Sequence, residues 1–195
     1  MREKIIHTAF ELFVDKGYDN VSINDIVQKA GVSKGGLYHH FKNKNELYEE
    51  TLKHYFYYYY NSNRVKVDPS ASLIENLRRL SEVFLQPFSD MSNMLEGKKA
   101  ELRYYFFLIQ SLQKQSQMSS KVEYFNKEIE AYIKKAIENA ISKKEISLNI
   151  DPSVTAKMIH YTLEGLAFLT ILKKEGNMES RYEEVLQNLY NSVLS

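Results

Sequence analysis

The chain contains no cysteine. That excludes a disulfide scaffold and any cysteine-based zinc site, and it suits a reducing cytosol. Tryptophan is also absent, so aromatic surface rests on 15 tyrosines and 10 phenylalanines. Only three prolines and seven glycines interrupt 195 residues, and most fall between segments with helical periodicity. Val, Ile and Thr form no period-two run that would mark a strand. No apolar run approaches the roughly 18 residues needed to span a bilayer, and the charged first thirty residues offer no signal-peptide core. These absences leave one expectation: an all-α, cytoplasmic globular protein with no membrane partner, its packed interior drawn from 44% hydrophobic residues.

An excess of charge is missing too. The formal net charge is +1, which by itself argues against nucleic acid as a partner. Its distribution reverses that reading. Between Asp25 and Glu46 there is no acid, only Lys29, Lys34, Lys42 and Lys44 with His39 and His40. Phosphate affinity depends on local cations displacing counterions, so a small basic face suffices, and dimerisation would double its contacts.

The same window holds two short helices joined by a glycine turn, with a third helix following at once. Ser22 stands three residues before Asp25 in capping-box spacing, Gly31 supplies the turn, and Ser33 can cap the next helix. This is the pattern of a helix-turn-helix DNA reader. A helix before it spans about 2–16, with Ile6, Ala9, Phe10 and Phe13 on one face and Gly17 closing it; a fourth begins at Asn43, with Glu46 in capping-box position, and continues through Leu47, Leu52 and the aromatics Tyr55 to Tyr60.

After the polar break 61–72, Ser72 and Glu75 repeat capping-box spacing before Leu73, Leu77, Leu80 and Phe84. Residues 87–97, from Pro87 to Gly97, read as a bend or loop. Helices are expected over 98–117 and 120–143, the second with Val122, Phe125, Ile129, Ile133, Ala136 and Ile141 at helical spacing. Asp151-Pro152 opens a helix over 152–174, with Lys173, Lys174 and Gly176 as its end signals, and a last helix covers 178–193. That makes about nine helices.

The N-terminal quarter resembles the DNA-binding domain of the TetR/AcrR family of bacterial repressors. The resemblance is carried by Ala9-Phe10-Glu11-Leu12-Phe13, Gly17-Tyr18, Ile23 to Ala30, Gly31-Val32-Ser33-Lys34-Gly35, Leu37-Tyr38, Phe41, Lys44 and Leu47. The remaining three quarters matches only in helix count and length. The resemblance implies a three-helix reader over 1–47, joined by the fourth helix to a helical effector-binding and dimerisation domain over 48–195. It implies a homodimer on a palindromic double-stranded operator, released by a small molecule. An alternative is a helical structural or division-control protein with the same reader and no effector.

Within the reader, Leu37 and Phe41 lie four apart and should point inward, leaving Lys34, Gly35, Tyr38 and His39, with Gly36 and His40, toward the groove. The glycines let the backbone of the Ser33 helix approach DNA closely. Tyr38, Lys44 and Ser22 are expected on phosphates; Lys34 and His39 are expected to read bases. In the second domain the pocket candidates are Tyr105, Gln110, Phe125, Glu164 and Phe168, drawn from a segment dense in aromatics.

Dimerisation is expected through helices 152–174 and 178–193. Ile159, Leu163, Leu166, Leu169 and Leu172 form one apolar series; Tyr182, Val185, Leu186, Leu189, Tyr190 and Val193 form the other. Gly165, costly inside a helix, suggests a partner helix crossing closely. Neither a metal nor a cofactor is expected. His39 and His40 point about 100° apart on a helix, and the pairs His7–Glu11 and His160–Glu164 offer two ligands each. No nucleophile motif or phosphate-binding glycine loop marks an enzyme.

Overall fold

The computed structural model describes residues 1–56, 66–95, 100–146, 149–173 and 177–191. Among these there are nine helices and no strand: α1 Arg2–Lys16, α2 Ile23–Ala30, α3 Lys34–Tyr38, α4 Lys44–Tyr55, α5 Leu73–Met94, α6 Ala100–Lys114, α7 Ser116–Ser142, α8 Pro152–Lys173 and α9 Met178–Leu189. The expected continuation of α4 through Tyr57 to Tyr60, and the end signals Gly97, Lys174, Gly176 and Val193, lie outside the described residues.

Local chemistry sets most helix starts. The Ser22 hydroxyl accepts from Asp25 N while the Asp25 carboxylate accepts from Ser22 N at 2.7 Å, a complete capping box. Those bonds from Ser22 hold the Asp25 carboxyl below the usual carboxylate range. Ser72 and Glu75 repeat the device at α5, and the Asp151 carboxylate accepts from Ser153 N and Val154 N at α8. At α4 the box is altered: Asn43 accepts from Glu46 N, but the Glu46 carboxylate reaches past Asn43 to Lys42 N. Gly31 sits at φ 64°, the left-handed turn between α2 and α3.

The structure corrects the reading of 87–97 as a bend. Pro87 lies inside α5, which runs on to Met94. A proline removes one helical hydrogen bond without ending a helix whose flanking turns are otherwise favourable. Upstream, α5 buries Leu73, Leu77, Leu80, Val83 and Phe84.

The chain divides into two compact units, Met1–Tyr60 with Met91–Val122, and Asn61–Asp90 with Glu123–Ser195. The packing division therefore does not follow the expected boundary at 47/48, because α6 belongs with the N-terminal helices. Aromatic rings make that unit. Phe10 stacks on Tyr55 at 3.9 Å, Phe13 meets Tyr48 edge-on at 5.1 Å, Tyr48 meets Phe107 edge-on at 5.5 Å, and Phe56 stacks on Tyr104 at 5.1 Å. Each such pair adds about 0.5–1.5 kcal/mol beyond the area it buries.

In the second unit the polar groups are placed as carefully as the apolar ones. Buried Asn76 donates to Asp68 O and Ser72 O, and Tyr132 donates its hydroxyl to Asn76 O at 2.9 Å. Burial pushes the Tyr132 phenol up to about 12. Tyr182 of α9 donates to Leu163 O of α8, and Arg78 of α5 pairs with Glu183 of α9.

The apolar series expected on α8 proves to be two faces. Ile159 and Leu163 are buried within the protomer with Ala156, Ala167 and Ile171, whereas Leu169 and Leu172 are exposed. Nine residues turn a helix by about 900°, so Leu163 and Leu172 point in opposite directions. The exposed apolar residues are Val154, Met158, Tyr161, Phe168, Leu169 and Leu172. On α9, Tyr182 and Leu186 are spent on the protomer's own core.

The left-handed Gly31 gives a direct test. Gly31→Ala should lower stability by about 1–2 kcal/mol, because a β-carbon at positive φ is strained even where space is open; an unchanged urea midpoint would contradict it.

Candidate nucleic-acid interface

Helix α3 is five residues long and stands on two buried side chains. Leu37 and Phe41 are 0% and 1% exposed, so the opposite face of α3 is committed to solvent. Lys34, Gly35, Tyr38 and His39 lie on that exposed face, and Tyr38 keeps half of its surface open. His40 is half-buried, with its ring against that of His39 at 5.1 Å. The Ser33 hydroxyl accepts from Gly36 N at 3.0 Å, so Ser33 caps the helix it precedes. Gly36 faces inward: a β-carbon there would lie 3.3 Å from the Ser33 hydroxyl and 3.6 Å from Met1 Sδ. Ser22 is exposed, but its hydroxyl is occupied by Asp25.

Lys44, expected on the DNA backbone, also has partners within the protein. Its ammonium donates to Tyr18 O and Val21 O, each at 2.9 Å, and lies 4.2 Å from the centre of the Tyr18 ring. These bonds tie the start of α4 to the loop between α1 and α2. Lys29 is likewise engaged, with Glu11 at 3.1 Å. Arg2, which the sequence reading did not single out, pairs with Glu50 of α4 and lies 5.5 Å over the Phe41 ring. Only the fold brings residues 48 apart together, so no local sequence signal marks it.

The pocket candidates fall on different helices, and each is described within its own unit. Tyr105 and Gln110 belong to the first unit, and Phe125, Glu164 and Phe168 to the second. Gln110 is occupied locally: its carbonyl accepts from Tyr18 N, and its amide lies 3.1 Å from where a β-carbon on Gly17 would stand. Phe125 is buried, while Glu164 and Phe168 are exposed on α8. His160 is buried between two carboxylates, with Nδ1 3.5 Å from Glu130 and Nε2 3.8 Å from Glu164. A groove of about 430 Å³ opens between α5 and α9, edged by Arg78, Glu82, Gln86, Glu179 and Glu183; no pocket candidate lines it.

His7 and Glu11 approach to 3.7 Å, and His7 Nδ1 also meets the Tyr55 hydroxyl at 2.9 Å. Among the described residues no group of three or more His, Cys, Asp or Glu is placed to hold a metal ion, and no helix is long and apolar enough to cross a membrane.

Comparison with known proteins bears on this geometry. Residues 5–51 match the family described as bacterial regulatory proteins, tetR family. Over 106 residues the chain is 33% identical to the biofilm operon icaADBC HTH-type negative transcriptional regulator IcaR of Staphylococcus aureus (strain Newman), a match covering 49% of this chain and 56% of that protein. The chain thus spans just over half the length of the curated relatives it matches. IcaR of Staphylococcus epidermidis is 39% identical over 56 residues, 29% of this chain and 30% of that protein. The fold of a TetR transcription regulator from Haloarcula marismortui overlays 100% of this chain and 98% of its own length, with a TM-score of 0.69 and 13% identity.

The position of Lys44 makes a prediction that separates folding from contact. Lys44→Gln should cost about 1–3 kcal/mol of stability by freeing two carbonyls and a ring face. A variant that melts like the parent yet fails to bind DNA would return Lys44 to a phosphate-contact role.

Proposed function

We propose that this chain is a member of the tetR family of bacterial regulatory proteins, a ligand-responsive transcriptional repressor that binds a palindromic operator as a homodimer. The observation that carries the reading is that α3 and the segment after it bury Leu37 and Phe41 while exposing Lys34, Gly35, Tyr38 and His39. A helix so short can enter a major groove end-on while its exposed side chains meet base edges and phosphates. In this reading Tyr38 holds a phosphate through its hydroxyl, Lys34 donates to guanine acceptors and His39 adds base discrimination. Ser22, Ser33, Gly36, His40 and Lys44 act by shaping and supporting that surface. Repression as the sign of control follows the negative regulators that the chain resembles.

Dimerisation is assigned to the outer face of α8. Val154, Met158, Tyr161, Phe168, Leu169 and Leu172 share one side of the helix, with Gly165 in the gap between Tyr161 and Phe168, and all six are at least 40% exposed. Gly165 lies on the same line of the helix, with nothing within 4 Å of where its β-carbon would be. A second copy laid against this stripe buries apolar surface that a soluble protomer otherwise leaves in water, and Gly165 lets the helices approach closely. The half-buried Val185, Leu189 and Tyr190 of α9 flank the bundle.

Two such readers about 34 Å apart meet successive major grooves on one side of the duplex. The effector is a small molecule taken up by the helical region beyond the reader. It releases the operator only by binding the non-operator arrangement more tightly, since equal affinity for both shifts nothing. The protein acts by binding, in the cytoplasm, without catalysis or a cofactor.

Selection from a pool of random duplexes tests the assignment: the protein should enrich a two-fold symmetric sequence, and failure to enrich any sequence would remove it. Tyr38→Ala should weaken binding to the enriched duplex by about tenfold or more at unchanged helix content. Separately, Tyr161→Glu combined with Leu169→Glu should yield monomers in sedimentation, and a dimer that survives both charges would move the interface off α8.

A further inference from the structure

We infer that Lys4, at the start of α1, is an additional anchor for the DNA phosphate backbone, held beside the helix-turn-helix by the fold; the inference rests on the DNA-reading role proposed above. The acid-free window between Asp25 and Glu46 is less basic in three dimensions than in one. Lys29 is neutralised by Glu11, and Lys44 is bound to two backbone carbonyls. Lys34 and Lys42 enter no ion pair among the described residues, and two cations are few for a protein that must displace counterions from a duplex.

The first turn of α1 supplies a third. Met1 and Lys4 are three residues apart and share one side of the helix. Met1 Sδ lies 3.6 Å from where a β-carbon on Gly36 would be, and Lys4 Nζ lies 3.8 Å from where one on Gly31 would be. The two contacts run the first turn of α1 along α3 and the turn that precedes it. Lys4 ends with its ammonium over Gly31, at the entry to the reading helix. Both residues are exposed, and Lys4 enters no ion pair among the described residues. Its neighbour Arg2 is committed to Glu50.

A duplex seated on the exposed face of α3 carries a sugar-phosphate strand along each groove edge. A cation beside the turn is positioned to meet such a strand, and a flexible ammonium needs no fixed angle to do so. A phosphate contact of this kind gives affinity without sequence preference. Lys4 is therefore assigned to grip rather than to choice.

The measurement is the salt dependence of binding, using the duplex that the wild-type chain enriches from a random pool and a scrambled duplex of the same length. Lys4→Gln should weaken binding to both duplexes by a similar factor, about tenfold or more near 100 mM salt, and reduce the slope of log affinity against log salt by about 2 per dimer. Lys4→Arg should restore both. Circular dichroism and melting should be unchanged, since the side chain is exposed. An enriched duplex that Lys4→Gln binds with the wild-type slope overturns the Lys4 assignment alone, and so does a loss confined to the enriched duplex. If the wild-type chain enriches no duplex at all, the DNA-reading role fails and the inference fails with it.

Discussion

The reader depends on the burial of Leu37 and Phe41, because a five-residue helix has almost no stability of its own. Burying a leucine and a phenylalanine contributes on the order of 2 kcal/mol each, and the two side chains also fix which way α3 faces. In the same unit the aromatic cluster of Phe10, Phe13, Tyr48, Tyr55, Phe56 and Phe107 joins α1, α4 and α6. Lys44 then ties the start of α4 to the loop ahead of α2 through two backbone carbonyls. The surface left exposed on α3, the one proposed to meet DNA, is what remains after these demands are met.

Charge follows the same logic. A chain with a formal net charge of +1 cannot rely on bulk attraction to a polyanion. In the proposed role it must hold its few cations where phosphates will be. Several of the available cations serve the fold instead: Arg2 bridges to Glu50, Lys29 to Glu11, Lys114 to Asp19. The distinction between a structural cation and a free one is invisible in composition, since both are lysines in a basic stretch. It is decided by whether a carboxylate or carbonyl lies within reach, and that is a property of packing.

Helix α8 shows how a helix can be apolar nearly all round and still have two separate roles. Ile159, Leu163, Ala167 and Ile171 close the protomer's core, while Val154, Met158, Tyr161, Phe168 and Leu172 remain uncovered on another side. That exposed apolar side is the surface on which the proposed dimer rests. The outer residues of α9, Glu183, Glu184, Gln187 and Asn188 among them, are by contrast polar and exposed.

Signals between near neighbours were legible in the sequence. The caps at Ser22, Ser33, Asn43, Ser72 and Asp151, the turn at Gly31 and the inward pair Leu37 and Phe41 are set by spacings of two to four residues, and a helix fixes the geometry of such spacings before any tertiary contact forms. Where the reading went astray, the deciding partner was distant or the period drifted. Pro87 read as a break but sits within α5, and the α8 series advanced by threes and rotated off its own face. The partner that Gln110 meets, Tyr18, lies 92 residues away, beyond any local signal. Short-range spacing suffices to make the chain helical, to start α3 after Ser33 and to turn Leu37 and Phe41 inward. Long-range packing sets the rest, because each outcome depends on atoms that folding alone brings within a few ångströms: α6 joins the N-terminal unit, Lys29 and Lys44 are engaged while Lys4 enters no ion pair among the described residues, and one side of α8 is left exposed.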